Sequence, residues 1–295
     1  MLWVATTLVA AVAQTARNAM QSSLTATLGT LGATQVRFVY RLPFALVFLG
    51  VVTGFAHARV PPATPAFLAF AASGALAQIA GTAFLLAAMQ ARSFSVATAL
   101  SKTEAVQVAL FGFAVLGDAL TWSRVLAILI ATAGVVIVAV RPKQKWDRQS
   151  LKPAALGVAS GAFFALASVS FRGAILALPE GAYFLRATTA LVWSLGIQVT
   201  VLGVWLAIMN REALLRSLGV WRQSLFAGFM SAFASQLWFL GFSLTAAANV
   251  RTLALVEVVL AQAVAKRLFG QRAAPRELIG MALVVAGVAL LLAAV

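Results

Sequence analysis

Long apolar runs separated by short polar linkers organise this chain from one end to the other. Ten such runs fall at approximately 2–25, 34–55, 65–89, 94–116, 121–140, 153–177, 182–209, 222–244, 247–268 and 276–294. Each can cross a hydrocarbon core about 30 Å thick. Backbone groups in lipid must be satisfied within their own segment, so each run predicts a helix. The most polar linker runs from Arg141 to Arg148, at the midpoint. The pattern therefore predicts an all-α polytopic membrane protein in two five-helix halves, 1–140 and 153–295, joined by a basic linker at 141–152.

The second half repeats the first at an offset of 153 residues. In the segment from Leu100 to Val135 and its counterpart from Leu253 to Val288, Glu104 meets Glu257 and Gly117 meets Gly270. Ala127 likewise meets Gly280, and Gly134 meets Gly287. Low complexity alone would not put a carboxylate twice in register. Five spans is an odd number, so the halves enter the membrane in opposite senses. Inverted repeats of this kind are a hallmark of secondary transporters, which hold substrate near the midplane and work by rocking or gating around it.

Composition narrows the class further. The chain is 62% apolar and 10% charged, with a mean hydropathy of +0.98, and no soluble protein of 295 residues could hide so much apolar surface. It has no cysteine and a single histidine, His57, which leaves little for a metal site or for His-based acid–base chemistry. HExxH, GxSxG and P-loop motifs are missing, so the expectation is a protein that is not an enzyme and uses no cofactor. A net charge of +15 would suggest nucleic acid in a soluble chain. Here most Lys and Arg flank the spans, so the expected partners are the lipid bilayer and a small-molecule substrate, with no nucleic acid. Linkers after odd-numbered spans carry thirteen Lys and Arg, against Arg59, Arg124 and Arg251 after even-numbered ones. The positive-inside rule then predicts periplasmic termini in a bacterial cytoplasmic (inner) membrane. The first run lacks the basic flank of a signal peptide and is too long for its apolar core.

Candidate chemistry lies in polar residues inside the spans, where a charge at a helix centre costs about 2.5–3.5 kcal/mol. Glu104 and Glu257 stand out, with Gln78, Thr82, Ser101, Gln107, Gln236 and Asn18 as further substrate-contacting candidates. Two readings of the glutamates remain open: bracing through charge pairing with Arg37 or Arg186, or direct contact with substrate. Lys102 is two residues from Glu104, on a different helix face, and cannot pair with it. Trp3, Trp122, Trp146 and Trp221 sit where an interfacial aromatic belt would, while Trp238 could line a pocket for an apolar side chain. Charge inside the spans is skewed positive, with Arg17, Arg37, Lys102, Arg172 and Arg186 against the two glutamates. That favours a substrate bearing a carboxylate and an amino group.

These residues resemble the EamA branch of the drug/metabolite transporter superfamily. Its fourth and ninth helices often read L-x-x-L-E-P, followed by small and apolar residues and then a G-E pair and a further glycine. This chain has Leu100, Glu104, Gly117, Asp118 and Gly134 in one copy, and Leu253, Glu257, Gly270, Gln271 and Gly287 in the other. Arg37 and Arg186 match an arginine common early in the second and seventh helices. Ala105 and Val258 stand where the family has proline. The resemblance covers essentially the whole chain and extends to the YddG-type amino acid exporters. It implies ten helices in two inverted repeats and export by alternating access of amino acids, aromatic or otherwise apolar, or of related small metabolites. The alternative it implies is a proton-coupled exporter of lipophilic cations. Small four-helix members do this with a first-helix glutamate, and neither the first nor the sixth span here carries an acid.

Overall fold

A computed structural model describes residues 1–15, 35, 36, 38–89, 100–140, 148–260 and 274–294. Among these residues every regular element is a helix. They are α1 (Leu2–Thr15), α2 (Leu42–Ala56), α3 (Pro65–Met89), α4 (Glu104–Leu116), α5 (Trp122–Ala139), α6 (Arg148–Ala177), α7 (Tyr183–Met209), α8 (Arg211–Gly219), α9 (Trp221–Leu244), α10 (Ala247–Leu253) and α11 (Pro275–Ala293). A 3-10 turn, Ala254–Val256, follows α10, and the chain is helical again from Glu257. Six stretches are long and apolar enough to cross a membrane: Pro65–Leu85, Trp122–Ala139, Leu151–Ala177, Tyr183–Met209, Ser224–Leu244 and Pro275–Ala293. Shorter apolar helices occupy Leu2–Thr15, Leu42–Ala56 and Glu104–Leu116. This is compatible with a multi-pass membrane protein. Large apolar side chains also point outward along the helices, among them Val47, Leu129, Ile208, Phe226 and Ile279, as lipid-facing surfaces require.

Several expected boundaries move. Helix α6 begins at Arg148, inside the stretch expected to be linker. Helix α8 also occupies an expected linker. There Asn210 accepts a hydrogen bond from the Ala213 N–H, and Arg216 pairs with Glu212 one turn away. Arg124 lies in the first turn of α5 and Arg251 in α10, so neither is a loop residue. Trp122 and Trp221 are exposed as an interfacial belt requires, but Trp3 is buried among apolar side chains at 8% exposure.

The chain divides into two compact units, and each draws on both halves of the sequence. Unit 1 comprises Met1–Leu76 and Ser170–Thr245; unit 2 comprises Ala77–Val169 and Ala246–Val295.

Unit 1 packs α2, α7 and α9 together. Its aromatic contacts include Phe44 edge-on to Phe229 and Phe171 tilted against Phe239, with ring centroids 5.5 and 4.9 Å apart. The buried Tyr40 hydroxyl donates to the carbonyls of Ser217 and Leu218, satisfying the end of α8. Arg172 performs the same service for α9, donating through Nη1 to the carbonyls of Phe242 and Thr245. A cation suits a helix C-terminus, where the macrodipole is negative.

Unit 2 is dominated by the contact of α5 with α11. A Cβ at Gly134 would lie 2.5 Å from the Gly280 carbonyl oxygen and 2.7 Å from the Val284 nitrogen. A Cβ at Gly287 would lie 2.7 Å from the Ala127 carbonyl oxygen and 2.5 Å from the Ala131 nitrogen. Replacing every residue of the first set by its counterpart 153 positions away gives the second set. The contact is therefore the same from either side. Only glycine lets the two backbones come this close.

Candidate functional site

Two places where the helical backbone is interrupted position the glutamates. Lys102 and Thr103 form a turn ahead of α4, and Glu104 is the first residue of that helix. The 3-10 turn Ala254–Val256 stands in the same relation to Glu257. Glu104 is the first residue of α4, where the helix macrodipole favours negative charge, whereas the Glu257 N–H is bonded back to the Ala254 carbonyl and the helix runs on through the turn. Gly161 of α6 allows close approach to the first interruption, because a Cβ there would lie 2.9 Å from the Ser101 carbonyl oxygen.

Both glutamates are paired with cations. Arg251 donates through Nε to Glu104 Oε1 at 2.6 Å, and its Nη2 reaches the same oxygen. Lys102 Nζ pairs with Glu257 Oε1. Each pair joins the two sequence halves, and the four side chains are 15–29% exposed. The glutamates are repeat-equivalent, but their cations are not: the counterpart of Lys102 is Leu255, and that of Arg251 is Thr98. One of the two readings open from the sequence has Arg37 or Arg186 bracing the glutamates. Arg37 lies outside the described residues, as does Asn18, and Arg186 takes part in neither pair. Arg251 was missed because it was counted with the linkers. Its signal was its place inside the expected span 247–268 rather than in a linker.

Of the other candidates, Gln107, Ser101, Gln78 and Thr82 belong to unit 2. Gln107 Nε2 donates to Thr103 Oγ1 at 3.0 Å, while its Oε1 is buried with no donor among the described residues. Thr82 Oγ1 is spent on the Gln78 carbonyl at 2.8 Å. Ser101 is buried at 7% exposure.

Gln236, Trp238 and Arg186 belong to unit 1, where a polar belt crosses three helices. Arg41, just ahead of α2, donates through Nη1 to Ser235 Oγ on α9 at 3.4 Å and stacks over the Phe38 ring. The next residue, Gln236, donates to Thr188 Oγ1 on α7 at 2.7 Å, and its Oε1 is buried with no donor among the described residues. Thr189, fully buried, and Arg186 lie three residues apart on α7 and share a face. Among the described residues, neither Thr189 Oγ1 nor Arg186 Nε has a hydrogen-bond partner. Trp238 is buried at 7% exposure, and its indole N–H donates to Gln14 Oε1 at 3.1 Å. Among the described residues no group of three or more His, Cys, Asp or Glu could hold a metal ion.

No family model matches the chain, and no curated protein does. A solved structure, described only as the crystal structure of a protein, matches with a TM-score of 0.72 at 15% identity. The match covers 97% of this chain and 95% of that one. At that identity the likeness establishes a shared fold and nothing about activity.

Proposed function

We propose that the chain is a secondary transporter of the EamA type that exports amino acids, aromatic or otherwise apolar, or related small metabolites across the bacterial cytoplasmic membrane by alternating access. The observation that carries this reading is a pair of repeat-equivalent glutamates, each just after a tightened helical turn and each held in an ion pair that joins the two sequence halves. A purely structural membrane protein has no use for two of them in register. The two-way symmetry of the α5–α11 contact supports the further reading of ten spans in two inverted five-helix repeats, 1–140 and 153–295. The lipophilic-cation alternative needs a carboxylate to trade protons for cargo. Arg251 and Lys102 hold both candidate carboxylates, which weighs towards amino acids.

The test is flux in proteoliposomes of the full chain with labelled amino acids, with and without a proton gradient. Saturable flux of at least one apolar amino acid is expected. Preference for a quaternary ammonium dye over every amino acid would instead establish the alternative. Topology is a separate expectation: a fluorescent protein fused after Val295 should stay dark while a periplasmic phosphatase fusion is active. Bright cytoplasmic fluorescence would reverse the assigned orientation.

A further inference from the structure

Helix α8 is too short to span a membrane and too firmly held to be a loose linker. It has nine residues, three of them charged, where a span needs about 20 apolar ones. It joins α7 and α9, which both hold stretches able to cross a membrane, so in a bilayer it lies at one face. Asn210 caps its start through the Ala213 N–H, and the Tyr40 hydroxyl holds the Ser217 and Leu218 carbonyls at its end. Val220, just beyond, packs against the buried Val36 and Tyr40. These contacts fix which side of the helix faces unit 1. Ser217 is buried there, while Leu215 and Leu218, three residues apart on one face, are 58% and 44% exposed. Arg211, also exposed, lies one turn before Leu215 on that face. Trp221 is exposed too, and the Arg222 guanidinium stacks over its ring at 5.2 Å. Glu212 is engaged by Arg216, and among the described residues no acid pairs with Arg211 or Arg222.

We propose that α8 and the start of α9 form an interfacial element that docks unit 1 onto anionic phospholipid. Leu215, Leu218 and Trp221 enter the boundary between headgroups and acyl chains, and Arg211 and Arg222 meet lipid phosphates. Exposed leucines beside an exposed tryptophan are unfavourable in water and favourable at that boundary. Charge then selects among lipids. The segment 210–222 carries Arg211, Arg216 and Arg222 against Glu212, and a headgroup with net negative charge attracts this excess where a zwitterionic one does not. A second copy of the chain would bring the same excess of arginine to the face and be repelled. Because the Tyr40 hydroxyl ties α8 to the chain ahead of α2, lipid held by α8 also stabilises unit 1. The inference goes beyond the transport reading and needs only that the chain sits in a membrane.

The experiment uses the full chain in nanodiscs of phosphatidylcholine, alone or mixed with phosphatidylglycerol. Brominated forms of each lipid quench nearby tryptophan, and the part of the quenching lost in Trp221→Phe reports this site. In the wild type, brominated phosphatidylglycerol is expected to bind there roughly tenfold better than brominated phosphatidylcholine. The double variant Arg211→Gln/Arg222→Gln should lose that preference, and Arg211→Lys/Arg222→Lys should keep most of it. Arg59→Gln, at an exposed loop arginine, should keep all of it. Leu215→Ser/Leu218→Ser should weaken quenching by both lipids alike. The substituted side chains are all exposed, so each variant is expected to keep the wild-type size-exclusion profile. Phosphatidylglycerol should raise the Tm of the wild type but not that of the double glutamine variant. Equal quenching by the two lipids in the wild type overturns the proposal, as does an undiminished preference in the double glutamine variant. A wild type that elutes as a dimer, split by the serine variant, also overturns it, because a second copy then covers the face.

Discussion

Gly134→Leu is expected to abolish most of the folded protein, and Gly287→Leu should do the same to a similar degree. The added side chain at Gly134 meets the Gly280 carbonyl oxygen and the Val284 nitrogen, and at Gly287 it meets backbone of Ala127 and Ala131. Backbone in the middle of a helix cannot turn aside as a long side chain can. Overpacking a close contact costs about 1–3 kcal/mol even where side chains can shift, so a backbone clash belongs at or above the top of that range. Helix association in lipid rests on close packing, with no hydrophobic drive between the helices to replace it. Gly50→Leu is the matched control, because nothing lies within 4 Å of a Cβ there. Size-exclusion profiles of fluorescent fusions read the outcome. Gly134→Leu protein that elutes and melts like Gly50→Leu protein would show that the α5–α11 contact does not hold unit 2 together.

Neutralising the paired glutamates should have the second large effect. Glu104→Gln removes the charge that Arg251 meets, and Glu257→Gln does so for Lys102. Breaking a partly buried pair leaves its cation uncompensated at a cost on the order of 2 kcal/mol, below the fully buried case because all four side chains keep some exposure. At least one of the two substitutions is expected to lower amino-acid flux tenfold or more, equivalent to about 1.4 kcal/mol in the barrier. The effects should be unequal, since a lysine point charge and a forked guanidinium are different partners. The swapped double variant Glu104→Arg/Arg251→Glu separates bracing from substrate contact. If it recovers both fold and flux, the pair is a brace; if fold returns without flux, the carboxylate's position matters to transport. Near-normal flux in both well-folded glutamine variants would leave the repeated acids as architecture alone.

Apolar runs were legible in the sequence because lipid imposes one requirement on every residue of a span. That requirement places the helices but says nothing about which charge meets which. Glu104 was conspicuous as an acid in an apolar run, and Lys102 was correctly excluded as its partner. The true partner, Arg251, is 147 residues away, and no local pattern encodes such a distance. The rule that assigns arginines to loops also hid it, because the rule treats every positive charge as an anchor to water. The same habit concealed α8, whose Arg211 and Arg216 were read as linker charge. Nor do the compact units follow the sequence halves. Two of their three boundaries fall inside α3 and α6, where no composition shift marks them, and the third lies between α9 and α10. The belt of unit 1 was visible only through Gln236, Trp238 and Arg186, since threonines and serines inside spans pass for ordinary helix residues.

The α5–α11 contact has the form of an interface between two identical subunits related by a two-fold axis, in which every pairwise touch occurs twice. Here the two subunits are stretches of one chain. A free pair of half-length chains would assemble in proportion to its abundance, and its stability would change with dilution. Covalent connection replaces that dependence with a fixed local concentration, set by the tether alone. On the proposed two-repeat reading, it also releases the two halves from having to stay identical. Leu255 and Thr98 stand opposite Lys102 and Arg251, so each half has been free to carry its own cation in its own place. Symmetry survives in the backbone contact, where only glycine fits, and it has lapsed in the charges.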